Sequence, residues 1–374
     1  MCERPVRIAI LDDGVYPAAC PVAGSFLIDD DLSVVLNRDA VSPYSHGSMC
    51  AHIMGCYTEL EKMEVYSIQI LKGDTLRGNI GRLLKAFQLC VFMDIRLIHL
   101  SVGTYAFEDF NRLEEAVRRL LDSERLLVAE TGNRGTVTYP AYLPEVIGVC
   151  HHPQLTEDEY IYCSDPFTRI HFQASARHKL MIEGQEIETP VSNSYAAPLI
   201  TAKILSYLKE NTDLGRDEIL RLLMKDARHY SFLQNNRQCS YPLVEIPVVM
   251  LSGFSTERLA HLMKVLVDGL HRDDYHVRSA TDLSGIRPWD EMFLPKTANL
   301  DLFIARMAWY FSCEIILLGR TSYLPSDKCK NVSLWIYGEE SSSVQTGNQA
   351  ESQVLWVAEL PDYEVYGLMT ALLI

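Results

Sequence analysis

The 374-residue chain lacks the features that would place it in a membrane or on nucleic acid. No apolar run approaches the roughly 18 residues of a membrane span, and the N-terminal residues do not have the pattern of a secretory signal peptide. Positive charge is in deficit, because 34 Lys and Arg residues stand against 49 Asp and Glu residues, giving a net charge of -15. Such a chain repels phosphate backbones and anionic lipids, so we expect neither nucleic acid nor a membrane as its partner.

The ten cysteines are not arranged as metal sites or as a disulfide framework. No CxxC pair occurs, and the spacings form no compact ladder, which indicates reduced thiols. The sequence also contains no recognisable calcium-binding loop. We therefore expect a cytoplasmic protein that needs no metal and no cofactor.

Short apolar runs alternate with amphipathic segments along residues 1–235. Helical spacing of apolar residues predicts helices at 79–93 and 110–121 and after residue 195. Strand-like runs rich in β-branched residues occur at 6–11, 65–71, 96–100, 126–129 and 145–150. This βαβ order predicts an α/β fold with a doubly wound, mostly parallel sheet.

Three polar segments contain candidates for chemistry, and each also has an ordinary structural explanation. Asp12 and Asp13 follow the first strand, where functional groups collect in α/β sheets, although Asp-Gly is also a common turn. His46 opens a small-residue helix beside Gly47, which implies tight backbone packing, although a lone histidine is usually structural. Ser194 precedes an amphipathic helix whose N-terminal N–H groups favour an oxyanion, although Ser is also a common N-cap.

Four segments, in chain order, resemble the motifs of the subtilisin-like serine peptidases. IAILDDGV is similar to the aspartate motif, SHGSMCAHIMG to the histidine motif, LLVAETGNRG to the oxyanion-hole segment and SNSYAAP to the nucleophile motif. The resemblance covers roughly residues 5–210. It implies a catalytic triad of Asp12, His46 and Ser194, with Asn133 in the oxyanion hole.

Two further segments, IHLSVG and TYPAYLPEVIGV, are similar to the substrate-binding segments of that family. By this resemblance, one backbone segment pairs as an edge strand with an extended substrate. A second segment forms one wall of the pocket for the substrate side chain before the cut, and a nearby residue forms the floor of that pocket. Glu130 is acidic where the family often has a small residue, which favours a basic side chain in the substrate. The implied residues are Ser101, Val102 and Gly103 for the edge, Glu130, Thr131 and Gly132 for the wall, and Thr138 for the floor.

The chain also departs from the family pattern. Ser192-Asn193 replaces Gly-Thr before the nucleophile, so the turn must form without glycine. Only eleven residues precede Asp12, which leaves no room for the propeptide of secreted members. Neither departure removes a catalytic group, so we expect an active enzyme.

Residues 240–374 predict a second, smaller α/β domain that follows a polar linker at 232–239. Strand patterns occur at 246–251, 314–318, 333–337 and 354–358, with helices between them, and 338–352 has the composition of a surface loop. The segment SGFST resembles a phosphate-binding loop, but the Gly-Lys-Ser/Thr element is missing. Substrate recruitment and assembly are both open as the role of this domain.

These patterns favour an intracellular serine endopeptidase that acts on a peptide or protein, with leader removal from a peptide precursor as the suggested task. One alternative keeps the fold as an inactive peptide-binding module. Another makes the protein nucleotide-regulated through residues 240–374. The chain could also form a homo-oligomer.

Overall fold

The computed structural model consists of two compact units, Met1–Asn236 and Arg237–Ile374. The residues that the structure describes are 5–71, 78–122, 124–133, 136–163, 167–228, 244–283, 291–294, 299–311, 313–324, 329–338, 353–357 and 360–373. The expected linker at 232–239 and nearly all of the expected loop at 338–352 lie outside these ranges.

The first unit is built on a nine-stranded sheet in the order β3-β2-β4-β1-β5-β6-β7-β9-β8. Seven central strands run parallel, and β3 and β8 pair antiparallel at the two edges. The doubly wound parallel fold was therefore predicted correctly. The strands are β1 Arg7–Asp12, β2 Val22–Ile28, β3 Val34–Leu36, β4 Glu64–Gln69, β5 Leu97–Leu100, β6 Leu126–Glu130, β7 Ile147–His151, β8 Tyr160–Tyr162 and β9 Phe172–Ala174.

Five helices cover this sheet, and a separate hairpin of β10 Lys179–Ile182 and β11 Gln185–Glu188 pairs antiparallel. One face of the sheet buries Ile8, Ile10, Leu97 and Val128 together with apolar residues of three helices. That shared cluster is the main core of the unit, since apolar burial is the dominant favourable term in folding. The helices are α1 His46–Tyr57, α2 Ile80–Phe92, α3 Phe110–Leu121, α4 Ala197–Glu210 and α5 Arg216–Asp226, of which α1, α4 and α5 contribute to this core.

The candidate residues follow the carboxyl ends of the central strands. Asp12 ends β1, Ser101 follows β5 and Glu130 ends β6, and these strands are neighbours in the sheet. Side chains alternate along a strand, so Asp12, Ser101 and Glu130 share the face on which Ile10 and Val128 contact the helices. The sheet therefore brings together residues that are more than a hundred positions apart.

Several strands were not predicted from the sequence. β2 is only partly buried along most of its length, β10 buries every second side chain, and no side chain of β11 is fully buried. Such strands have no continuous apolar run, and their stability comes from the neighbours with which they pair. The predicted boundaries of the central strands and of α2 lie within two residues of the observed ones, and those of α3 agree with them.

The second unit contains a six-stranded parallel sheet in the order β14-β13-β15-β12-β16-β17. Its apolar core is separate from that of the first unit and consists only of residues between Val249 and Leu373. The strands are β12 Val248–Ser252, β13 Val277–Thr281, β14 Glu291–Phe293, β15 Ile315–Arg320, β16 Leu334–Tyr337 and β17 Gln353–Trp356, and the helices are α6 Thr256–Arg272, α7 Leu300–Tyr310 and α8 Asp362–Leu373.

The SGFST segment joins β12 to α6. Gly253 adopts a positive φ of 76°, and the Ser255 side chain caps α6 by accepting from Arg258 N. The Ser252 hydroxyl accepts from Leu324 N and donates to Ser322 O, so it is already engaged by the chain itself. In the described part of the chain, no helix combines the length and apolarity needed to cross a membrane.

Candidate active site

Asp12 and His46 form a direct hydrogen-bonded pair at the carboxyl end of β1. The Asp12 Oδ2 atom lies 2.8 Å from His46 Nδ1, and the Asp12 side chain is fully buried. Asp13 has a different role, because its two carboxylate oxygens accept from the backbone N–H groups of His46 and Gly47 at 3.0 and 2.8 Å. The Asp12 carboxylate thus orients the imidazole, and the Asp13 carboxylate holds the start of α1.

Gly47 allows α1 to approach the end of β1 closely. A Cβ atom at this position would lie 2.5 Å from the carbonyl oxygen of Gly14 and 3.0 Å from the Asp12 Cβ. Gly14 itself has a positive φ of 110°. The tight packing expected beside His46 is therefore present, and it sets the distance between His46 and Asp12.

The ionisation of His46 is governed by its neighbours. Burial by itself would lower the pKa of the imidazole, but Cys50 and the Asp12 carboxylate act in the opposite direction, and the pKa is raised above its ordinary value. Burial also raises the pKa of the Cys50 thiol, so that thiol is neutral near pH 7. Asp12 is therefore the negative group that favours the imidazolium form.

Ser194 lies in a short 3-10 turn, Asn193–Tyr195, that leads into α4. Its side chain is buried, and its hydroxyl lies 2.7 Å from the Ser192 hydroxyl. Cys50 contacts both sides of the site, since its sulfur is 4.0 Å from His46 Nδ1 and 3.8 Å from the Ser194 carbonyl oxygen. The Tyr195 ring also stacks near His46, with centroids 5.1 Å apart, so His46 and the Ser194 turn are neighbours.

The described hydrogen bonds of Ser194 Oγ do not include His46, but a Ser194 hydroxyl that accepts from Ser192 keeps its own hydrogen to donate to the imidazole. Such bonds are often long or misaligned in proteins without substrate and shorten in the substrate complex.

Asn193 anchors the nucleophile turn, a function that was not predicted from the sequence. Its Nδ2 donates to the carbonyl oxygens of Thr131 and Gly132 at 3.0 and 2.9 Å, and its Oδ1 accepts from His151 N at 2.8 Å. The turn thus needs no glycine, because Ser192 is extended and Asn193 is not among the described residues with a positive φ. The polar side chain itself ties the turn to the ends of β6 and β7.

Asn133 lies beside this turn. Its Oδ1 accepts from Asn193 N at 2.7 Å, and that bond requires the oxygen of the amide to face the turn. Within the described ranges no acceptor bonds its Nδ2, and Asn133 is exposed, so this donor is available to a substrate. The Ser194 N–H is likewise unused by any described acceptor. The Asn133 Nδ2 group and the Ser194 N–H are therefore two unused donors beside the same turn.

The expected substrate edge and wall lie close to the site. The Ser101 hydroxyl points inward to His99 and Cys50, so this residue can offer only its backbone to a substrate. Val102 is half-buried and Gly103 is exposed. The chain then continues into Thr104, which forms a two-hydrogen-bond antiparallel bridge with Tyr139.

Thr138 fills the space between the edge and the wall. A Cβ atom on Gly103 would lie 3.0 Å from Thr138 Cβ, and one on Gly132 would lie 2.9 Å from Thr138 Cγ2. The Thr138 hydroxyl also accepts from Gly132 N at 3.1 Å. The two backbone segments are therefore held apart by one buried threonine, which leaves little depth for a side chain.

The Glu130 side chain is buried and does not present its carboxyl group to solvent. It is 8% exposed, its Oε2 has no hydrogen-bond partner among the residues that the structure describes, and burial raises the pKa of its carboxyl group to about 8. The carboxyl group is therefore mostly protonated near pH 7 in the free protein. A preference for a basic substrate side chain stays a prediction, and this burial weighs against it.

A groove of 540 Å³ that His46 helps to line was not predicted from the sequence. Tyr195 and Gln69 contribute to it, together with the chain before α1. The other lining residues include Asp13, Asp39, Val41, Ser42 and Tyr44.

One group of possible metal ligands overlaps the site. Atoms of Asp12, His46 and Cys50 all lie within 4.8 Å of one another. An ion held there would take the Nδ1 position that the Asp12 bond now uses, so it would compete with orientation of the imidazole.

The subtilase family model (peptidase family S8) matches residues 3–241. The chain belongs to the subtilase family. It is accordingly a serine-type endopeptidase of the subtilisin-like class. No curated protein sequence matches the chain.

Similar solved structures share the fold at low sequence identity. The protease domain of PatA, solved as a serine-to-alanine mutant, is 21% identical with a TM-score of 0.48, covering 60% of this chain and 88% of that one. The prenylagaramide maturation protease PagA is 20% identical with a TM-score of 0.45, covering 60% and 83%. Sphericase is 17% identical with a TM-score of 0.46, covering 59% and 83%.

Proposed function

We propose that this subtilase cuts peptide bonds with a triad of Ser194, His46 and Asp12. The observation that carries the proposal is the buried Asp12–His46 pair beside the Ser194 turn, with Cys50 in contact with both. In this reaction Ser194 Oγ attacks the substrate carbonyl and His46 Nε2 accepts the serine proton. Asp12 holds the Nδ1–H tautomer and stabilises the imidazolium that forms.

The negative charge that develops on the carbonyl oxygen is stabilised by Asn133 Nδ2 and the Ser194 N–H. The bond from Asn193 N to Asn133 Oδ1 supports this assignment, because it holds the amide beside the Ser194 turn by its oxygen and leaves Nδ2 without a described acceptor. Removing one such donor lowers kcat by about 100- to 1,000-fold, a magnitude that comes from a subtilisin.

The cleft supports a substrate that binds in an extended conformation and has a small side chain before the cut. The Ser101–Gly103 backbone is the edge that would pair with it, and Thr138 limits the depth of the slot. We propose limited processing of a peptide precursor, such as leader removal, as the task. PagA is described as a maturation protease, and another similar structure as a lanthipeptide protease. The narrow slot supports selectivity for a small side chain before the cut, and such selectivity suits cleavage at few positions.

We also propose that the enzyme acts in the cytoplasm. The cysteines for which the structure gives a state, eight in number, are all free thiols, as a reducing compartment requires.

The test is reaction with a serine-directed fluorophosphonate followed by peptide cleavage. We expect stoichiometric labelling at Ser194, and cleavage of a peptide library at defined positions by the wild type but not by Ser194→Ala. His46→Ala should be equally inactive, and the double variant should lose little more, because the triad acts as one unit. A folded wild type that neither reacts nor cleaves would support the inactive binding module instead.

A further inference from the structure

A chain of buried hydrogen bonds lies behind the catalytic groups and centres on His99. His99 is on β5 and is fully buried, and its Nε2 lies 2.7 Å from the Ser101 hydroxyl. Its Nδ1 lies 2.9 Å from the Thr201 hydroxyl on α4. The chain therefore joins the proposed substrate edge to the helix that follows the proposed nucleophile.

The chain continues beyond both hydroxyl groups. The Thr201 hydroxyl reaches the Ala197 carbonyl oxygen at 3.1 Å, one turn earlier in α4. The Ser101 hydroxyl lies 3.5 Å from the Cys50 sulfur, which is itself 3.8 Å from the Ser194 carbonyl oxygen. Cys50 and Thr201 are both fully buried and Ser101 is 6% exposed, so water cannot substitute for these partners.

Counting the protons shows which group donates at each hydrogen bond around His99. If Thr201 donates to Ala197 O, then His99 Nδ1 must carry a hydrogen, and Ser101 donates to His99 Nε2. Cys50 then donates to Ser101, and only one link uses sulfur. The opposite direction needs sulfur as acceptor from Ser101 and as donor to Ser194 O, and both are weak roles for a thiol. The first arrangement is therefore favoured.

His99 is held neutral in this position. Burial is the main cause that lowers the pKa of its imidazole to about 3, while Asp12 acts in the opposite direction and His46 in the same one. A neutral ring has one donor and one acceptor, and the chain uses both.

We propose that His99 is a positioning residue that sets the Ser101–Gly103 substrate edge relative to the Ser194 helix. Its ring spans the distance between β5 and α4 and bonds to both. Without these bonds the edge and the nucleophile would still be present, but a bound peptide would lie less accurately over Ser194. The inference rests on the proposed peptidase function.

Thr201 offers a milder test than replacing His99, whose ring fills buried space. Thr201→Val keeps the shape and removes the hydroxyl, whereas Thr201→Ser keeps the hydroxyl and removes the methyl group. We expect Thr201→Val to lower kcat/KM for peptides by about tenfold, the size expected for one buried hydrogen bond. Labelling of Ser194 by a small fluorophosphonate, which does not use the edge, should stay within about twofold of wild type. Thr201→Ser should be close to wild type in both assays.

Three results would overturn the inference. Equal losses in Thr201→Val and Thr201→Ser would show that the effect does not follow the hydroxyl group, because only Thr201→Val removes it. Peptide cleavage by Thr201→Val at the wild-type rate, or parallel losses of cleavage and labelling, would show that the chain does not position the edge.

Nitrogen-15 NMR of the histidine rings separates this inference from the proposed function, because it needs no activity. We expect wild-type His99 to be neutral with hydrogen on Nδ1, and Thr201→Val to shift hydrogen to Nε2. A wild-type His99 with hydrogen on Nε2 would overturn the direction of the chain. An inactive wild type with the expected tautomer would count against the peptidase function alone.

Discussion

At the scale of single residues, chemistry depends on which of two similar side chains faces the imidazole. Asp12 bonds to His46 Nδ1, whereas Asp13 bonds only to backbone N–H groups. A negative charge beside the ring favours its protonated form, and the pKa of His46 is raised accordingly. The protonated ring cannot accept a proton from Ser194.

Peptidase activity should therefore rise with pH, with a midpoint above about 6.5, the ordinary value for histidine. Asp12→Asn removes the charge, so it should lower both the activity and this midpoint. The measurement is kcat/KM between pH 5 and 9 on folded protein. The pKa of Glu130 is raised to about 8 by burial, so Glu130→Gln is the control that assigns the titration to His46. A midpoint below the ordinary value would contradict this view of the pair.

Asn193 is the residue that holds the nucleophile turn in place. Asn193→Asp has the same shape, but it would place carboxylate oxygen against the carbonyl oxygens of Thr131 and Gly132. We expect a loss of about 2 kcal/mol or more in the free energy of unfolding, with reduced turnover. Asn211→Asp is the same change at an exposed position after α4 and serves as the control in chemical denaturation. Equal stability of the two variants would show that the turn does not depend on these bonds.

In the proposed mode of substrate binding, Thr138 limits the depth of the slot for the substrate side chain. Thr138→Ser removes the methyl group that touches Gly132 and keeps the hydroxyl that bonds to Gly132 N. We expect this change to raise the kcat/KM ratio of larger over small side chains before the cut by about tenfold, as one methylene group can. Thr138→Val, which keeps the methyl group, should leave the preference for small side chains in place. An unchanged ratio in Thr138→Ser would remove Thr138 from the pocket.

At the scale of elements, the fit of α1 against β1 places His46. Gly47 approaches Gly14 so closely that any side chain would push the helix away. Gly47→Ala should therefore separate His46 from Asp12 and abolish most of the activity. Gly55→Ala on the same helix is the matched control, since its nearest neighbour would be 3.9 Å away and alanine favours a helix by about 1 kcal/mol. Activity assays and thermal melting of both variants check the prediction, which fails if Gly47→Ala is as active as Gly55→Ala.

At the scale of the whole molecule, the two units have separate cores. The described residues of the main core of the first unit lie between Val6 and Ala227, so we expect this unit to fold by itself. We propose that the second unit recruits the natural substrate. A fragment of residues 1–236 should then be soluble, melt cooperatively and cut a short peptide at nearly the full rate.

Turnover of the natural substrate, once peptide mass spectrometry has identified it, should fall in this fragment, because remote binding energy has been removed. Unchanged turnover of that substrate by a folded fragment would eliminate recruitment. An insoluble fragment would instead show that the second unit stabilises the first.

The order of the central strands and helices could be predicted from sequence because periodicity is local. The apolar run at 126–129 corresponds to β6, and the helical stripe at 79–93 corresponds to α2. Each pattern is visible within a few neighbouring residues. The candidates Asp12, His46, Asn133 and Ser194 came from short motifs in a fixed order. The sequence alone thus determined the family, the parallel sheet and these four candidate site residues.

Only the tertiary structure decided what those residues touch. Asn193 bonds to residues 61 and 62 positions away, His99 meets Thr201 across 102 positions, and Thr138 stands between two glycines that follow different strands. No local pattern encodes such contacts, since they depend on which strand ends become neighbours after folding. The same reason explains β2, β10 and β11, whose partly exposed sequences become strands by pairing with a neighbouring strand.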